Sequence, residues 1–284
     1  MNDASTVAVL AGDQSAQPRS RGIDAWRQRL LQPRWLTPLT VTTLLALWWA
    51  ATALAVLPPL FLPPPQAVLG KLYQVATAGF MDATLGQHLC ASLSRIAVAL
   101  IVACLTAIPL GIALGVSTLA RGILDPLIEF YRPIPPLAYL PLVVIWFGIG
   151  ELSKILLIYL AMFAPIAIAT AAGVRDVEPN RIHAAQSLGA SYRQVLWYVM
   201  LPSALPAILT GLRIGLGTGW STLVAAELIA ATRGLGFMVQ SAANFLVTDV
   251  VMMGILVIGV IAVGMEVLIR ALQRRWVPWQ GKVS

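Results

Sequence analysis

Long apolar segments, separated by shorter polar ones, occupy most of the chain. The hydrocarbon core of a bilayer is about 30 Å thick, so a helix that rises about 1.5 Å per residue crosses it with about 20 apolar residues. Six segments reach this length, and they predict an all-α integral membrane protein with six transmembrane helices. The predicted spans are residues 36–57, 93–116, 126–147, 154–174, 205–231 and 250–272.

Prolines interrupt this pattern at two places. The third predicted span contains Pro133, Pro135, Pro136 and Pro141. A proline inside a helix removes a backbone donor and its ring clashes with the preceding turn, so this span is predicted to be broken. Residues 58–65 contain five prolines and are predicted to form an extended connector.

Less apolar stretches connect the spans. Residues 66–89 are expected to lie outside the bilayer and to contain a short amphipathic helix. Residues 117–124 are predicted to form a short loop, and residues 148–153 to form a turn. Residues 232–249 are predicted to form a loop that dips partly into the membrane.

The charge distribution gives the orientation. Only 11% of the residues are charged and the mean hydropathy is +0.82, whereas soluble domains carry roughly 25% charged residues. Positive residues collect on the cytoplasmic side of membrane proteins, so the net charge of +7 does not indicate nucleic-acid binding. One group of segments carries Arg19, Arg21, Arg27, Arg29, Arg34, Arg121, Arg175, Arg181, Arg193, Arg270, Arg274, Arg275 and Lys282. The opposite loops carry only Lys71, Lys154 and Arg233, which predicts that both termini and the long loop at 175–202 are cytoplasmic.

A single membrane domain, residues 36–272, is expected between cytoplasmic tails at residues 1–35 and 273–284. No short apolar core with a small-residue cleavage site precedes the first span, so no cleaved signal peptide is expected. Cys90 and Cys104 lie fourteen positions apart on one predicted helix, a rise of about 21 Å. This separation excludes a disulfide, and the absence of a C-x-x-C pair argues against a metal or redox site.

Glycines at helical spacing predict close helix contacts. The fifth span holds Gly211, Gly215 and Gly219, and the second holds Gly111 and Gly115. Small residues four positions apart let helix backbones approach closely in lipid. We therefore expect both spans to pack tightly against a neighbour.

The 175–202 loop is the most informative polar segment. Pro179 suits the first turn of a helix, and Gly189 suits the left-handed residue that ends one. Ser191 and Gln194 match a capping box, and Pro202 is expected to end the second helix. The loop is thus predicted to be two short helices joined by a bend. It could be a DNA-binding helix-turn-helix, an ordinary ordered loop or a docking element for a cytoplasmic protein.

The spacing of this loop resembles that of bacterial ABC importer permeases. Their loop motif reads Glu-Ala-Ala, three residues, Gly, nine residues, Ile, one residue, Leu-Pro. The present chain has His183-Ala184-Ala185, then Gly189, Val199 and Leu201-Pro202 at the same spacing. It departs at His183, which replaces the glutamate, and conservatively at Val199. The resemblance implies a type I ABC importer transmembrane domain whose coupling helix contacts an ATPase through His183, Ala184, Ala185, Ser187, Leu188, Gly189 and Ala190.

The resemblance extends from about residue 48 to residue 279, with further similar stretches at 62–65, 121–126, 131–141, 146–150 and 220–236. These stretches are similar to the nitrate/sulfonate/taurine group, particularly its taurine-transporting branch. The implied function is that of the permease subunit for taurine or a similar small sulfonate. Alkanesulfonates or nitrate are alternative substrates, and an ion-coupled secondary transporter is an alternative of another class.

The resemblance also implies the partners. They are two ATPase subunits, a second and identical permease copy, a periplasmic substrate-binding protein and membrane lipid, but no nucleic acid. The chain has no P-loop, so it is expected to be a transport subunit rather than an enzyme. ATP and Mg²⁺ would be bound by the ATPase, and the chain itself would hold no cofactor. The implied location is the bacterial inner membrane.

Charged residues also fall within the predicted spans. Glu129 and Arg132 are three positions apart and can pair on one helix face. Arg213 and Glu227 are fourteen positions apart, roughly on one face of the fifth span. Charges in a bilayer usually face protein or water. These four residues are therefore candidates either for the translocation path or its gate, or for structural pairing between helices or across a dimer.

Overall fold

A computed structural model describes residues 33–277, and the regular structure in that range is helical apart from one isolated bridge between Phe80 and Ala83. Most of both predicted tails lies outside the described residues. The helices are α1 (Pro33–Ala53), α2 (Pro65–Thr77), α3 (Leu85–Val116), α4 (Thr118–Tyr131), α5 (Leu140–Phe147), α6 (Glu151–Arg175), α7 (Pro179–Ser187), α8 (Tyr192–Val195), α9 (Leu201–Ala230), α10 (Leu235–Asn244) and α11 (Thr248–Trp276). A 3₁₀ turn (Pro136–Tyr139) precedes α5, and a π-helical segment (Leu196–Met200) precedes α9.

The chain divides into two compact units, Met1–Leu57 and Pro58–Ser284. The first contains α1, which overlaps the first predicted span but ends at Ala53, four residues before the predicted end. The hydroxyl groups of Thr42, Thr43 and Thr52 donate to carbonyls three or four residues earlier, so the apolar helix carries no unsatisfied hydroxyl there. Its apolar part, Pro38–Ala53, is shorter than a full crossing.

Within residues 33–277, four helices are long and apolar enough to cross a bilayer, and a bent helix pair makes a possible fifth. The four correspond to α3, to α6, to the continuous stretch Tyr192–Ile229 and to α11. The all-helical membrane fold is therefore as predicted, while the count of six crossings stays a prediction.

In the second unit, α6 lies at the centre and packs against α3 and α9 along its length. A β-carbon on Gly111 would lie 2.6 Å from the carbonyl oxygen of Ala167, and one on Gly211 would lie 2.6 Å from the β-carbon of Ala169. These distances are too short for any side chain, so the backbones meet only because glycine stands there. The predicted close contacts are confirmed.

The third predicted span is broken, as expected. The pair formed by α4 and the segment Pro136–Phe147 bends by 89°. The loop predicted at 117–124 is wrong, because α4 already begins at Thr118. Ser117 accepts a hydrogen bond from the backbone N–H of Ala120 at 3.2 Å, so this one residue ends α3 and caps α4.

The connections outside the long helices are more helical than predicted. The expected short helix in 66–89 is α2, and α3 begins at Leu85, eight residues before its predicted start. Thr84 and Gln87 form a capping box there, with bonds of 3.3 and 2.9 Å. The predicted loop at 232–249 contains the ten-residue helix α10.

The 175–202 loop has the predicted bend. Pro179 is the first residue of α7, Gly189 has φ +83°, and Ser191 and Gln194 form the capping box. The prediction that Pro202 ends the second helix is wrong, because α8 continues through the π-helical segment into α9. A π turn changes the hydrogen-bond register, and the missing donor of Pro202 falls directly after this change.

Candidate functional site

A group of polar residues, all of them buried except Glu151, joins α3, α6 and α9 near one end of the bundle. It lies where α3 and α6 begin and α9 ends, and hence opposite the end that carries α7. We call this group the polar cluster. Its members are His88, Ser92, Arg95, Glu151, Lys154 and Glu227.

Glu227 is fully buried at the centre of the polar cluster. Arg95 Nη1 donates to its Oε1 at 2.6 Å, and the hydroxyl of Ser92 lies 2.8 and 2.9 Å from its two oxygens. The backbone N–H of Gly236 donates to Oε2 at 2.9 Å. A buried carboxylate is tolerated only when it is paired and hydrogen-bonded, and here both conditions are met.

Arg95 connects this carboxylate to a second one. Its Nε and Nη2 donate to the two oxygens of Glu151 at 2.5 and 2.8 Å, and its Nη1 also donates to the carbonyl of Arg233 at 2.7 Å. Lys154 Nζ lies 2.7 Å from Glu151 Oε1. The positive charges of Arg95 and Lys154 thus balance the negative charges of Glu151 and Glu227, and each of the four has an ion-pair partner.

The polar cluster also caps α10. Three successive backbone N–H groups, of Gly234, Leu235 and Gly236, donate to His88 Nδ1 at 3.1 Å, Ser92 Oγ at 2.9 Å and Glu227 Oε2 at 2.9 Å. These groups have no acceptor within their own helix, and a carboxylate also complements the helix dipole. The polar cluster therefore fixes α10 to the bundle.

A second polar region is a cavity of about 1120 Å³ in the wall formed by α4, α6, α9 and α11. We call it the membrane cavity. Three charged residues line it: Arg132, Arg213 and Glu266. Glu266 accepts from Arg270 Nη2 at 2.6 Å, whereas the two arginines have no ion-pair partner among the described residues.

The break in the bent helix pair faces this cavity. Tyr131, Arg132, Ile134 and Pro136 all contribute to its wall. Irregular backbone at membrane depth is stable only where protein buries it or where it borders a water-filled space. The break therefore lies where the cavity, rather than lipid, can border its irregular backbone.

The four charged candidates from the sequence fall into different surroundings. Arg213 is exposed in the membrane cavity, whereas Glu227 is buried in the polar cluster, so their common helix face gives them no common site. About 21 Å of helix separates them, and different neighbours cover α9 at the two levels. The predicted pair of Glu129 and Arg132 is not formed within residues 33–277, and both side chains are exposed.

The sequence analysis did not single out Arg95, which binds both carboxylates of the polar cluster, and it assigned Lys154 and Arg233 to loops. The sequence does contain an indication of the pair formed by Arg95 and Glu227. Arg95 and Glu227 are charged residues within predicted spans, both close to the end predicted to be external. Opposite charges at the same depth in two spans can pair, but the sequence does not show which spans are neighbours.

The bend between α7 and α8 exposes the residues expected to contact an ATPase. Leu188 is 89% exposed, and a β-carbon on Gly189 would meet nothing within 4 Å. His183, Ala184 and Ser187 are exposed too, and Ala185 and Ala190 are half-buried. Val177 and Val195 are buried on either side, so the protruding bend is anchored at both ends.

A helical membrane bundle with a charged cavity and an anchored, protruding helical bend agrees with the resemblance to importer permeases. Residues 107–278 match the family described as binding-protein-dependent transport system inner membrane component. The chain belongs to this family. It is therefore an inner-membrane transport subunit rather than an enzyme, and as an ABC importer permease it functions with separate ATPase and substrate-binding proteins.

Individual relatives agree with this assignment. The chain is 66% identical over 260 residues to the taurine transport system permease protein TauC of Escherichia coli (strain K12), covering 91% of this chain and 94% of TauC. It is 33% identical over 255 residues to the putative aliphatic sulfonates transport permease protein SsuC of Bacillus subtilis (strain 168), covering 90% and 88%. The fold is similar to that of a chain from an inward-facing MetNI methionine ABC transporter, with TM-score 0.59, 19% identity and coverage of 68% and 95%.

Proposed function

We propose that this chain forms the translocation pathway of an ATP-driven importer for taurine or a similar small sulfonate. The observation that supports it most is the 66% identity to TauC across almost the whole of both chains. The proposal includes an orientation in which both termini and the α7–α8 bend are cytoplasmic, because arginines concentrate there.

The membrane cavity is the proposed part of the pathway. It contains two arginines without ion-pair partners among the described residues, Arg132 and Arg213. Guanidinium groups bind oxyanions through charge-assisted hydrogen bonds. Taurine carries a sulfonate and an ammonium, and Glu266 adds a carboxylate to the same wall. Glu227, which was also a candidate for the pathway, is assigned a structural role because all its contacts are internal.

The bend between α7 and α8 is the proposed contact with the ATPase. Two identical permease copies would enclose the pathway, and two ATPase subunits would bind ATP and Mg²⁺ on the cytoplasmic side. A periplasmic binding protein would deliver the substrate at the other end. ATP-driven closure of the ATPase pair would move the bends and open the pathway outward, which requires a two-state arrangement of packed helices.

Alkanesulfonates and nitrate remain the alternative substrates. The relative SsuC is named for aliphatic sulfonates, and the cavity arginines suit any small oxyanion. The experiment that separates these substrates is uptake of taurine, an alkanesulfonate and nitrate into proteoliposomes containing the permease, its ATPase and its binding protein. ATP-dependent, uncoupler-resistant uptake with taurine preferred supports the proposal. Preference for an alkanesulfonate or nitrate favours the alternative substrates, and uptake that requires only an ion gradient contradicts the proposal.

The proposed coupling contact predicts that Gly189→Asp strongly reduces ATP-driven uptake while the permease still inserts. The substitution adds bulk and charge on the exposed bend without touching a neighbour. The matched control is Gly148→Asp, since Gly148 also has positive φ (+77°) and open surroundings but lies at the other end of the bundle. Uptake and ATP hydrolysis are measured together in proteoliposomes. Equal uptake by the two variants would contradict the assignment of the contact.

A further inference from the structure

Helix α2 has an apolar face that the rest of the described chain covers only in part. Apolar side chains recur along it at spacings of three and four residues, the pattern of an amphipathic helix. They are Val68, Leu69, Leu72, Tyr73, Val75 and Ala76. Val68 and Val75 are buried, whereas Leu69 is 66% and Tyr73 is 74% exposed. One edge of the apolar face is therefore packed against the protein, and the other edge is not.

Contacts with α11 fix the level of α2 along the bundle. The two helices pack against each other, and Lys71 Nζ lies 3.8 Å from Oδ2 of Asp249 in the first turn of α11. The hydroxyl of Thr248, the first residue of α11, donates to the carbonyl of Leu60 at 2.5 Å in the connector before α2. Because α11 is long and apolar enough to cross the bilayer, a helix attached to its first turn lies close to the membrane boundary.

The polar side of α2 points away from the uncovered apolar edge. Lys71 follows Leu69 by two residues, so about 200° of helix rotation separates them. Lys71 Nζ donates to Gln74 Oε1 at 3.1 Å, so these two polar side chains lie together. A helix with a lysine on its polar side and large apolar residues on the other is typical of helices that lie in the membrane interface.

The composition of the uncovered edge favours lipid as its neighbour. Leu69 and Tyr73 are four residues apart and carry no charge, so they form one apolar strip. Tyrosine is enriched at membrane–water interfaces, where its ring contacts the acyl region and its hydroxyl the headgroups. On the adjoining α11, Ile255, Leu256 and Val260 are exposed, as expected for a crossing helix in contact with lipid.

We infer that α2 is an interfacial helix that inserts Leu69 and Tyr73 into the bilayer surface at the end of the bundle where α11 begins. Only its polar side then faces water, so the stretch expected to lie outside the bilayer is partly embedded in it. Through the pair formed by Lys71 and Asp249, an embedded α2 would hold the start of α11 at the level of the headgroups.

The test is spin labelling of the permease–ATPase complex in lipid nanodiscs. Cys90 and Cys104 are first replaced by serine, because they are the two native cysteines. Single labels are then placed with Leu69→Cys and Tyr73→Cys, and their collisions with oxygen and with a water-soluble nickel complex are measured. Oxygen concentrates in the apolar part of the bilayer and the nickel complex in water, so the ratio of the two collision rates reports the surroundings of each label.

Gly70→Cys and Gln74→Cys are the matched controls, because each is one residue further along the same helix, is also exposed and lies towards the polar side. The ratio of oxygen to nickel collisions is expected to be severalfold higher at positions 69 and 73 than at 70 and 74. Preference for the nickel complex at all four positions would show that water covers the strip and would overturn the inference.

Shielding of positions 69 and 73 from both reagents would also overturn it, because protein would then cover the strip. The measurement requires no substrate and no binding protein, so its result does not depend on the proposed function. Uptake of taurine by the complete system, measured separately, tests that function whatever surrounds α2.

Discussion

The polar cluster and the membrane cavity both place charged residues inside a predicted membrane domain, but they differ in how those charges are satisfied. In the polar cluster, Arg95, Lys154 and Glu227 are at most 4% exposed and each has an ion-pair partner. In the membrane cavity, Arg132 and Arg213 are exposed and have no ion-pair partner among the described residues. A charge within the membrane is therefore informative about transport only when its partners are known.

The difference has an energetic origin. A charge taken out of water is stable only if fixed partners replace its hydration, and the polar cluster supplies these partners from three helices. Every charged side chain of the polar cluster has an ion-pair partner, including Glu151, whose side chain is 58% exposed. The cavity arginines are exposed, so water can hydrate them without a fixed protein partner. The comparison predicts large stability effects at the polar cluster and small ones in the cavity.

The largest effect is expected for Glu227→Gln. The amide fills the same volume but leaves the polar cluster with an extra buried positive charge, and breaking a buried pair in this way costs about 3–5 kcal/mol. The measurement is the thermal midpoint and the monodisperse fraction of the detergent-purified permease. Glu266→Gln is the control, because its pair with Arg270 is half exposed and such pairs contribute about 0.3–0.5 kcal/mol. Equal midpoints for the two variants would contradict a structural role of the polar cluster.

An intermediate effect is expected for Gly234→Ala. Gly234 has φ +140°, and a β-carbon there would lie 2.5 Å from the carboxylate oxygens of Glu227. Backbone strain of this kind costs about 1–3 kcal/mol, and the displaced carboxylate would release the start of α10. Hydrogen exchange should then increase in Leu235–Asn244 more than in α6. The control is Gly70→Ala, because nothing lies within 4 Å of the new methyl group in its helix. This variant should leave hydrogen exchange in Leu235–Asn244 unchanged. Unaltered protection in Gly234→Ala would argue against capping by the polar cluster.

The smallest effect on stability is expected for Arg213→Gln. Its side chain is exposed and has no ion-pair partner within residues 33–277, so the free energy of unfolding should change by no more than about 0.5 kcal/mol. The thermal midpoint of the purified permease measures this, in the same series as Glu227→Gln. A loss as large as that of Glu227→Gln would show that Arg213 has a structural partner, and the contrast between the two regions would disappear.

Local signals in the sequence predicted the α7–α8 bend correctly. Pro179, Gly189, Ser191 and Gln194 act on backbone groups within four residues of themselves, so their effect depends little on the rest of the fold. The broken third span was predictable for the same reason, since prolines act on their own helix. Pro202 was misjudged because the π-helical segment before it changes the register that a proline would otherwise interrupt.

The polar cluster could not be derived in this way. Arg95, Glu151 and Glu227 are separated by 56 and by more than 70 residues in the chain, and each of them lies in or beside a different apolar span. Nothing in a single span records the identity or rotation of its neighbours.

By itself, the sequence determined that this protein is an apolar helical bundle with a bent, protruding helical loop, because hydrophobic length, proline and capping residues act locally. Only the tertiary structure decided which charged residues of the spans form internal ion pairs and which line a cavity without an ion-pair partner among the described residues. The physical reason is that electrostatic satisfaction depends on distances of a few ångströms between helices. Those distances are set by how the glycine-lined faces of α3, α6 and α9 pack, and not by the charged residues themselves.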